Sequence, residues 1–236
     1  LVGFAALVLL GVAAALATWL PNESGPPKAT PVQAASKALG PQEVLIGSYI
    51  DNIQDVNPAT NSFLADVYIW MRWTNPKLQP WKTLEFMNLY EAWQLMSWPS
   101  QDAPVKQPDG SLYYLTRYQG AFNSILSLRD FPFGEQNLSI ELEDIQNESG
   151  KLRYVADPEP VAIAPEVTVP GFIVGTPTLS ITDYHYPTSF GFIDSTPTNI
   201  YSRAVITTPV THPVLANVFK YLVPIILVML AAALIF

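Results

Sequence analysis

The sequence predicts a mostly β protein: a β-sandwich with an apolar helix before it and a truncated transmembrane helix after it. Two observations carry this. Short runs of alternating apolar and polar residues, separated by turn-forming clusters, fill the middle of the chain. Both ends are uncharged, and every charged side chain of the 236-residue chain lies between Glu23 and Lys220.

Residues 1–20, LVGFAALVLLGVAAALATWL, carry no charge. A span needs ~20 apolar residues at about 1.5 Å each, so they are just long enough to cross a bilayer. Ala15-Leu16-Ala17 is also an Ala-x-Ala pattern of the kind a signal peptidase cuts. Two readings stand side by side, a cleaved signal peptide and a retained signal anchor. Both carry the polar middle across a membrane. The missing Met and basic n-region place the expected true N-terminus upstream. Residues 21–42, rich in Pro, Ser, Ala and Gly without periodicity, read as a linker.

The sandwich is expected over residues 43–213. The first strand covers Val44–Ile53, followed by a loop over Gln54–Asn57. The clearest strand is Ser62–Trp73. Phe63, Ala65, Val67, Ile69, Met71 and Trp73 share one parity and form the core face. Leu64, Asp66, Tyr68, Trp70 and Arg72 share the other. That outward face is too apolar for solvent alone, so a packing partner is expected on it. Apolar spacing over 85–96 is compatible with a short helix. Residues 111–128 read as one or two β segments. Leu138, Ile140 and Leu142 point inward, while Ser139, Glu141 and Glu143 point out. Residues 171–186 and 198–207 read as two long strands joined by a hairpin tip at 187–197. Residues 214–236 form the last element. The uncharged run 221–236 reaches only ~24 Å of the ~30 Å hydrocarbon core. A buried core helix is the alternative; a transmembrane helix cut off before its end is the expectation.

Composition excludes several function classes. The chain is 49% hydrophobic and 14% charged, which argues against disorder. Its net charge of −8 argues against nucleic-acid binding, which needs a basic footprint. With no Cys there is no disulfide framework, thiol nucleophile or thiolate metal site. No hydrolase, zincin or phosphate-loop motif is present. His185 lies mid-strand without a motif partner and reads as a packed or surface residue rather than a general base. No enzyme activity and no cofactor are expected.

Phe131-Pro132-Phe133-Gly134-Glu135-Gln136-Asn137-Leu138 resembles the FPFD-x-Q signature loop of the pentameric ligand-gated ion channels, the Cys-loop receptor superfamily. Trp73-Thr74-Asn75-Pro76-Lys77-Leu78 is similar to that family's W-x-D-x-x-L segment. A strand followed by Val214–Tyr221 and Pro224 in an apolar helix looks like its strand-to-membrane junction. The two family cysteines match Ser124 and Leu138 here, and their absence resembles the bacterial branch. The resemblance covers residues 43–236. It implies an immunoglobulin-like ligand-binding sandwich and the start of the first transmembrane helix. Two departures stand out. Gly134 replaces the family's Asp, and His212, or no basic residue at all, aligns with an Arg that pairs with it. A missing pair costs little, whereas a lone buried charge is expensive. Glu135, Asp55 and His212 are the candidates to replace that link.

The resemblance also implies a ligand site between subunits, walled by aromatics that hold a cation or stack on an amphipathic ligand. One wall would carry Tyr68, Trp70 and Arg72. The other would carry Tyr184, Tyr186, Phe190, Phe192 and Tyr201. The competing reading has each aromatic packing within its own sandwich or filling an interface. Coupling to the pore would involve Asp55, Phe131, Pro132, Phe133, Glu135, His212 and Pro224. Glu141, Glu143, Asp144 and Glu148 suit either Ca²⁺ or, as preferred, a solvated face. No metal is expected. The N-x-S sequons at Asn22, Asn137 and Asn147 read as chance.

The implied function is the ligand-binding domain of a bacterial pentameric channel. Its partners are four further copies, the lipid bilayer, a small-molecule or proton ligand, and permeant cations. The β domain would face the periplasm from the inner membrane. The alternative is a membrane-anchored sensor or binding domain of the same fold without channel activity.

Overall fold

The computed structural model describes residues 40–126, 134–191, 199–213, 219 and 222–235. In order, the elements are β1 (Gln42–Asn57), β2 (Ser62–Trp73), a one-turn α1 (Pro80–Thr83), β3 (Leu84–Phe86) and a 3₁₀ turn (Ala92–Gln94). Then come β4 (Met96–Pro99), β5 (Val105–Lys106), β6 (Leu112–Asn123), β7 (Glu135–Asp144) and β8 (Leu152–Ile163). Last are β9 (Ile173–Val174), β10 (Thr178–His185), β11 (Ile200–Thr211) and helix α2 (Val223–Ile235). The protein is mostly β. One sheet runs β4-β6-β2-β1-β8, with β5 beside β6. The second runs β10-β11-β7-β3, with β9 beside β11.

The core lies between the sheets. The inward parity of β2 is at most 3% exposed throughout, from Phe63 to Trp73. From the second sheet, Leu138, Ile140 and Leu142 of β7 and Ala204, Ile206 and Val210 of β11 meet it in one cluster. Each fully buried Val, Leu, Ile, Phe or Met adds about 1.5–3 kcal/mol, so the period-2 pattern fixes which face turns inward.

β2 has the predicted bounds. β1 is longer than predicted: it begins at Gln42, inside the predicted linker, and runs through the expected loop to Asn57. Two register shifts against β2 absorb the irregularity, and Asp55 there takes a left-handed φ of 49°. The helix expected over 85–96 is absent. Phe86 is drawn into the core, Glu85 and Phe86 pair with β7, and Met96–Pro99 pair with β6, leaving only the 3₁₀ turn. Tertiary pairing overrides a weak helical spacing. Residues 112–123 form one strand. The expected strand 171–186 is broken into β9 and β10. β10 and β11 form the predicted antiparallel hairpin.

β8 is an unpredicted strand that pairs parallel with β1. Its Pro158 and Pro160 sit in a register shift, where Ala156 faces Ile46 and Val161 faces Ser48. A proline cannot donate to a ladder, so an edge strand with an irregular stretch is where it fits. Tyr154 N, on β8, donates to Ser202 Oγ of β11 at 3.0 Å, tying the two sheets.

Pro224 lies near the start of α2, just after a π-helical turn at Phe219 and Leu222. Among the described residues, no helix is long and apolar enough to cross a membrane. The predicted helix at 1–20 and most of the linker lie outside the described residues.

Candidate functional site

The outer face of the second sheet carries an aromatic cluster. Tyr184 and Tyr201 are cross-strand partners on the β10–β11 hairpin. Outward parity follows from burial: Ser202 and Ala204 are 2% and 0% exposed, so Tyr201 and Arg203 point away from the core. Tyr186 lies edge-on to Tyr184, Phe190 and Tyr201, at centroid distances of 4.7, 5.4 and 5.6 Å. Quadrupolar rings prefer such tilted contacts. Phe190 holds its place with a φ of 50°, and its N–H donates to Thr188 Oγ1 at 3.1 Å. Beside these rings is a hollow of about 360 Å³, lined by Glu85, Met87, Glu143, Ile145, Tyr186, Phe190 and Tyr201.

Two charged residues not assigned to the ligand site from sequence organise this cluster. Glu143 is 2% exposed. Arg203 Nε donates to its Oε1 at 2.5 Å, and the Tyr186 hydroxyl donates to its Oε2 at 2.9 Å. Arg203 Nη1 also donates to Glu141 Oε2 at 2.5 Å. The Arg203 guanidinium lies 3.5 Å from the centroid of Tyr184. Burial works against its charge, but the hydrogen bond and attraction of Glu143 and then Glu141 outweigh this and raise its pKa. Burial, then the bond to Glu143, pushes the Tyr186 phenol up to about 12. Glu85 and Glu143 are direct cross-strand partners. Like charges so placed repel, and with Glu141 they leave the cup net acidic despite Arg203.

The solvated acidic face expected at 141–148 is therefore corrected. Glu141 and Glu143 hold Arg203. Asp144 is 1% exposed and caps a turn, accepting from Gln146 N, Asn147 N and Asn147 Nδ2, and from the Thr83 hydroxyl. The pattern of alternate carboxylates was visible. Arg203, four strands later in the chain, was not, because only the β7–β11 pairing brings it near.

The first sheet presents a second polar and aromatic face. Register aligns Tyr49, Tyr68, Arg117 and Trp98 across β1, β2, β6 and β4. Arg117 Nε and Nη2 clamp the carboxylate of Asp66 at 2.8 and 2.5 Å, and Nη2 reaches Asp51 at 3.3 Å. That fork raises the Arg117 pKa, chiefly through the bonds to Asp66. Its guanidinium also lies 5.5 Å from the Tyr68 centroid. Trp98 is 47% exposed and Trp93 81%. Arg117 and Trp98 were not singled out from sequence.

The predicted trio on β2 divides. Tyr68 stands in this row. Trp70 lies over Gly47, where a Cβ would overlap its indole. Arg72 turns to Asp157, at 3.5 Å, in the irregular stretch of β8. Within one chain the Tyr68 face and the Tyr184 cluster are on the outward sides of different sheets, as two walls contributed by different copies would be.

At one end of the sandwich, Glu135 is the cross-strand partner of Thr211, beside His212. His212 Nδ1 is 3.0 Å from the Gly171 carbonyl oxygen, and its ring stacks on Phe172 at 4.3 Å. Ser124 Oγ donates to Asn137 O at 2.6 Å and accepts from Ser139 N at 3.2 Å, tying the segment after β6 to β7. Asp55 is exposed on β1, and His185 is exposed on β10. Phe131, Pro132, Phe133, Phe192 and Asn22 lie outside the described residues. No group of residues suited to a metal ion occurs among the described residues.

No protein-family model matches this chain. No curated protein matches it either.

Proposed function

We propose that this chain is the ligand-binding domain of a bacterial pentameric ligand-gated ion channel, of immunoglobulin-like fold. Five copies form a ring at the inner membrane with the β domain on the periplasmic side. The observation that carries this reading is the separation of two aromatic faces onto the outward sides of two sheets. A core lies between them, so one chain cannot bring them together. A heterologous contact, one face of one copy against the other face of the next, does so and closes into a ring. Residues 214–236 begin the first transmembrane helix in this reading. The net charge of −8 raises the local concentration of permeant cations near the pore mouth.

Ligand binding shifts the population of interface arrangements. The end bearing Glu135 and His212 transmits the shift to the membrane helices. The test is the mass of the full-length protein in detergent by native mass spectrometry. A pentamer is expected, and a monomer would overturn the reading.

A second reading is a membrane-anchored sensor of the same fold. It is favoured by the end contacts: His212 engages a carbonyl and an aromatic ring, and Gly134 offers no carboxylate for the family's ion pair. Sequencing the gene beyond Phe236 separates the two, since only the channel has three further apolar spans.

A further inference from the structure

The aromatic cup proposed as the ligand site already holds a cation. The Arg203 guanidinium covers the Tyr184 ring at 3.5 Å and donates to Glu143, Glu141 and, at 3.1 Å, the Tyr186 oxygen. Its side chain is 11% exposed and that of Glu143 only 3%. These contacts, a π face on one side and carboxylates at the edge, are what an aromatic cage offers an organic cation. Here the chain's own side chain supplies it.

We propose that Arg203 is a tethered occupant of the cup, which closes it to small organic cations and makes the adjoining hollow the space that selects the ligand. The inference rests on the cup being the ligand site. Each oxygen of Glu143 already accepts a bond from within the chain, so an incoming amine competes there with Arg203 and the Tyr186 hydroxyl. A tethered group acts at an effective concentration of about millimolar or more, so a free cation of weaker affinity loses the competition. What remains is the hollow of about 360 Å³ beside Tyr186, Tyr201, Phe190, Met87 and Ile145. Glu85 at its edge makes no ion pair among the described residues. The matching ligand has an apolar or aromatic body filling the hollow and a basic group reaching Glu85. Small quaternary amines do not match.

The test uses the full-length protein with methylguanidinium and tetramethylammonium as probes, read by thermal shift and calorimetry. The wild type is expected to show no saturable binding of either at millimolar concentration. Arg203→Ala should bind methylguanidinium at least about tenfold more tightly than the wild type, with a matching rise in Tm. Adding Glu143→Gln to that variant should abolish the gain. If Arg203→Ala does not fold, Arg203→Gln keeps a donor for Glu143 and is tested in the same way. Refolding of either variant by methylguanidinium also supports the proposal. Tetramethylammonium binding equally well to wild type and variant, or no rescue of either variant, overturns it. Native mass spectrometry of the same samples keeps the two ideas apart. A pentamer without rescue sinks only the tethered cation, and rescue in a monomer sinks only the ring.

Discussion

Asn88 holds three main-chain groups with one side chain. Its Nδ2 donates to Asn123 O at 2.7 Å and Ser139 O at 2.6 Å, and its Oδ1 accepts from Glu141 N at 3.0 Å. Asn123 ends β6 in the first sheet, while Ser139 and Glu141 belong to β7 in the second. Asn88 therefore staples the sheets beside the aromatic cup. Losing it leaves several polar groups without partners, at a cost of about 1–3 kcal/mol for each one buried. Asn88→Ala should lower stability by about 2–4 kcal/mol in a denaturant titration, since some of these groups regain water. Tyr186 gives a pH prediction. Its proton is held up to about 12 in the fold, against 10.0 for the free phenol. As pH rises the unfolded chain loses this proton first, so stability present below pH 10 falls between about 10 and 12. Other buried tyrosines, Tyr154 above all, add to the same fall. The Tyr186→Phe variant should therefore show a shallower decline of Tm over that window than the wild type. Equal slopes would mean that neither burial nor the Glu143 bond holds the proton.

At the scale of elements, β1, β2 and β8 are locked by a glycine. Gly47 is the cross-strand partner of Trp70, whose indole covers the bare backbone where a Cβ would overlap it. It also falls at the point where the pairing of β1 with β8 shifts register. An aromatic across a strand glycine restores packing that glycine lacks. Gly47→Ala forces the indole off this seat. Overpacking of this kind costs about 1–3 kcal/mol, and Trp70 should become more exposed. A lower Tm together with a red-shifted tryptophan emission checks it. This seat fixes the orientation of Trp70 on the outward parity of β2. The exposed edge at β4 stands in contrast. Met96 is 51% exposed and Trp98 47%, on a strand of four residues at the margin of the sheet. A short edge with exposed aromatics has room for a neighbour, in line with the ring reading.

For the whole molecule, the proposed ring would place the Tyr68 face of one copy against the hairpin of the next. The chain has no Cys, so introduced thiols report cleanly. Tyr68→Cys combined with Phe190→Cys should give oxidation-dependent ladders of up to five subunits on a denaturing gel. Each single variant should stay monomeric there. Crosslinking confined to single chains would place the two faces otherwise than the ring requires. In the proposed channel, the end of the sandwich would couple to the membrane through His212 rather than through an ion pair. His212 meets the carbonyl of Gly171 and the ring of Phe172.

Local chemistry alone settles part of this protein. Alternation over 62–73 and 138–142 decided which side chains enter the core, because a period of 2 admits one buried face. The hairpin of β10 and β11 was legible for the same reason. So was the aromatic content of its outer face. The tertiary structure decided the rest. The helical spacing over 85–96 yielded to β pairing, since burying Phe86 and laddering with β7 and β6 outweigh a weak local preference. β8 stayed hidden because Pro158 and Pro160 break its pattern, and only an edge beside β1 accommodates them. Arg203 and Glu143 lie 60 residues apart along the chain. Their pairing follows from strand order, which no local period encodes. The same strand order placed Tyr68 and Tyr184 on opposite sides of one core.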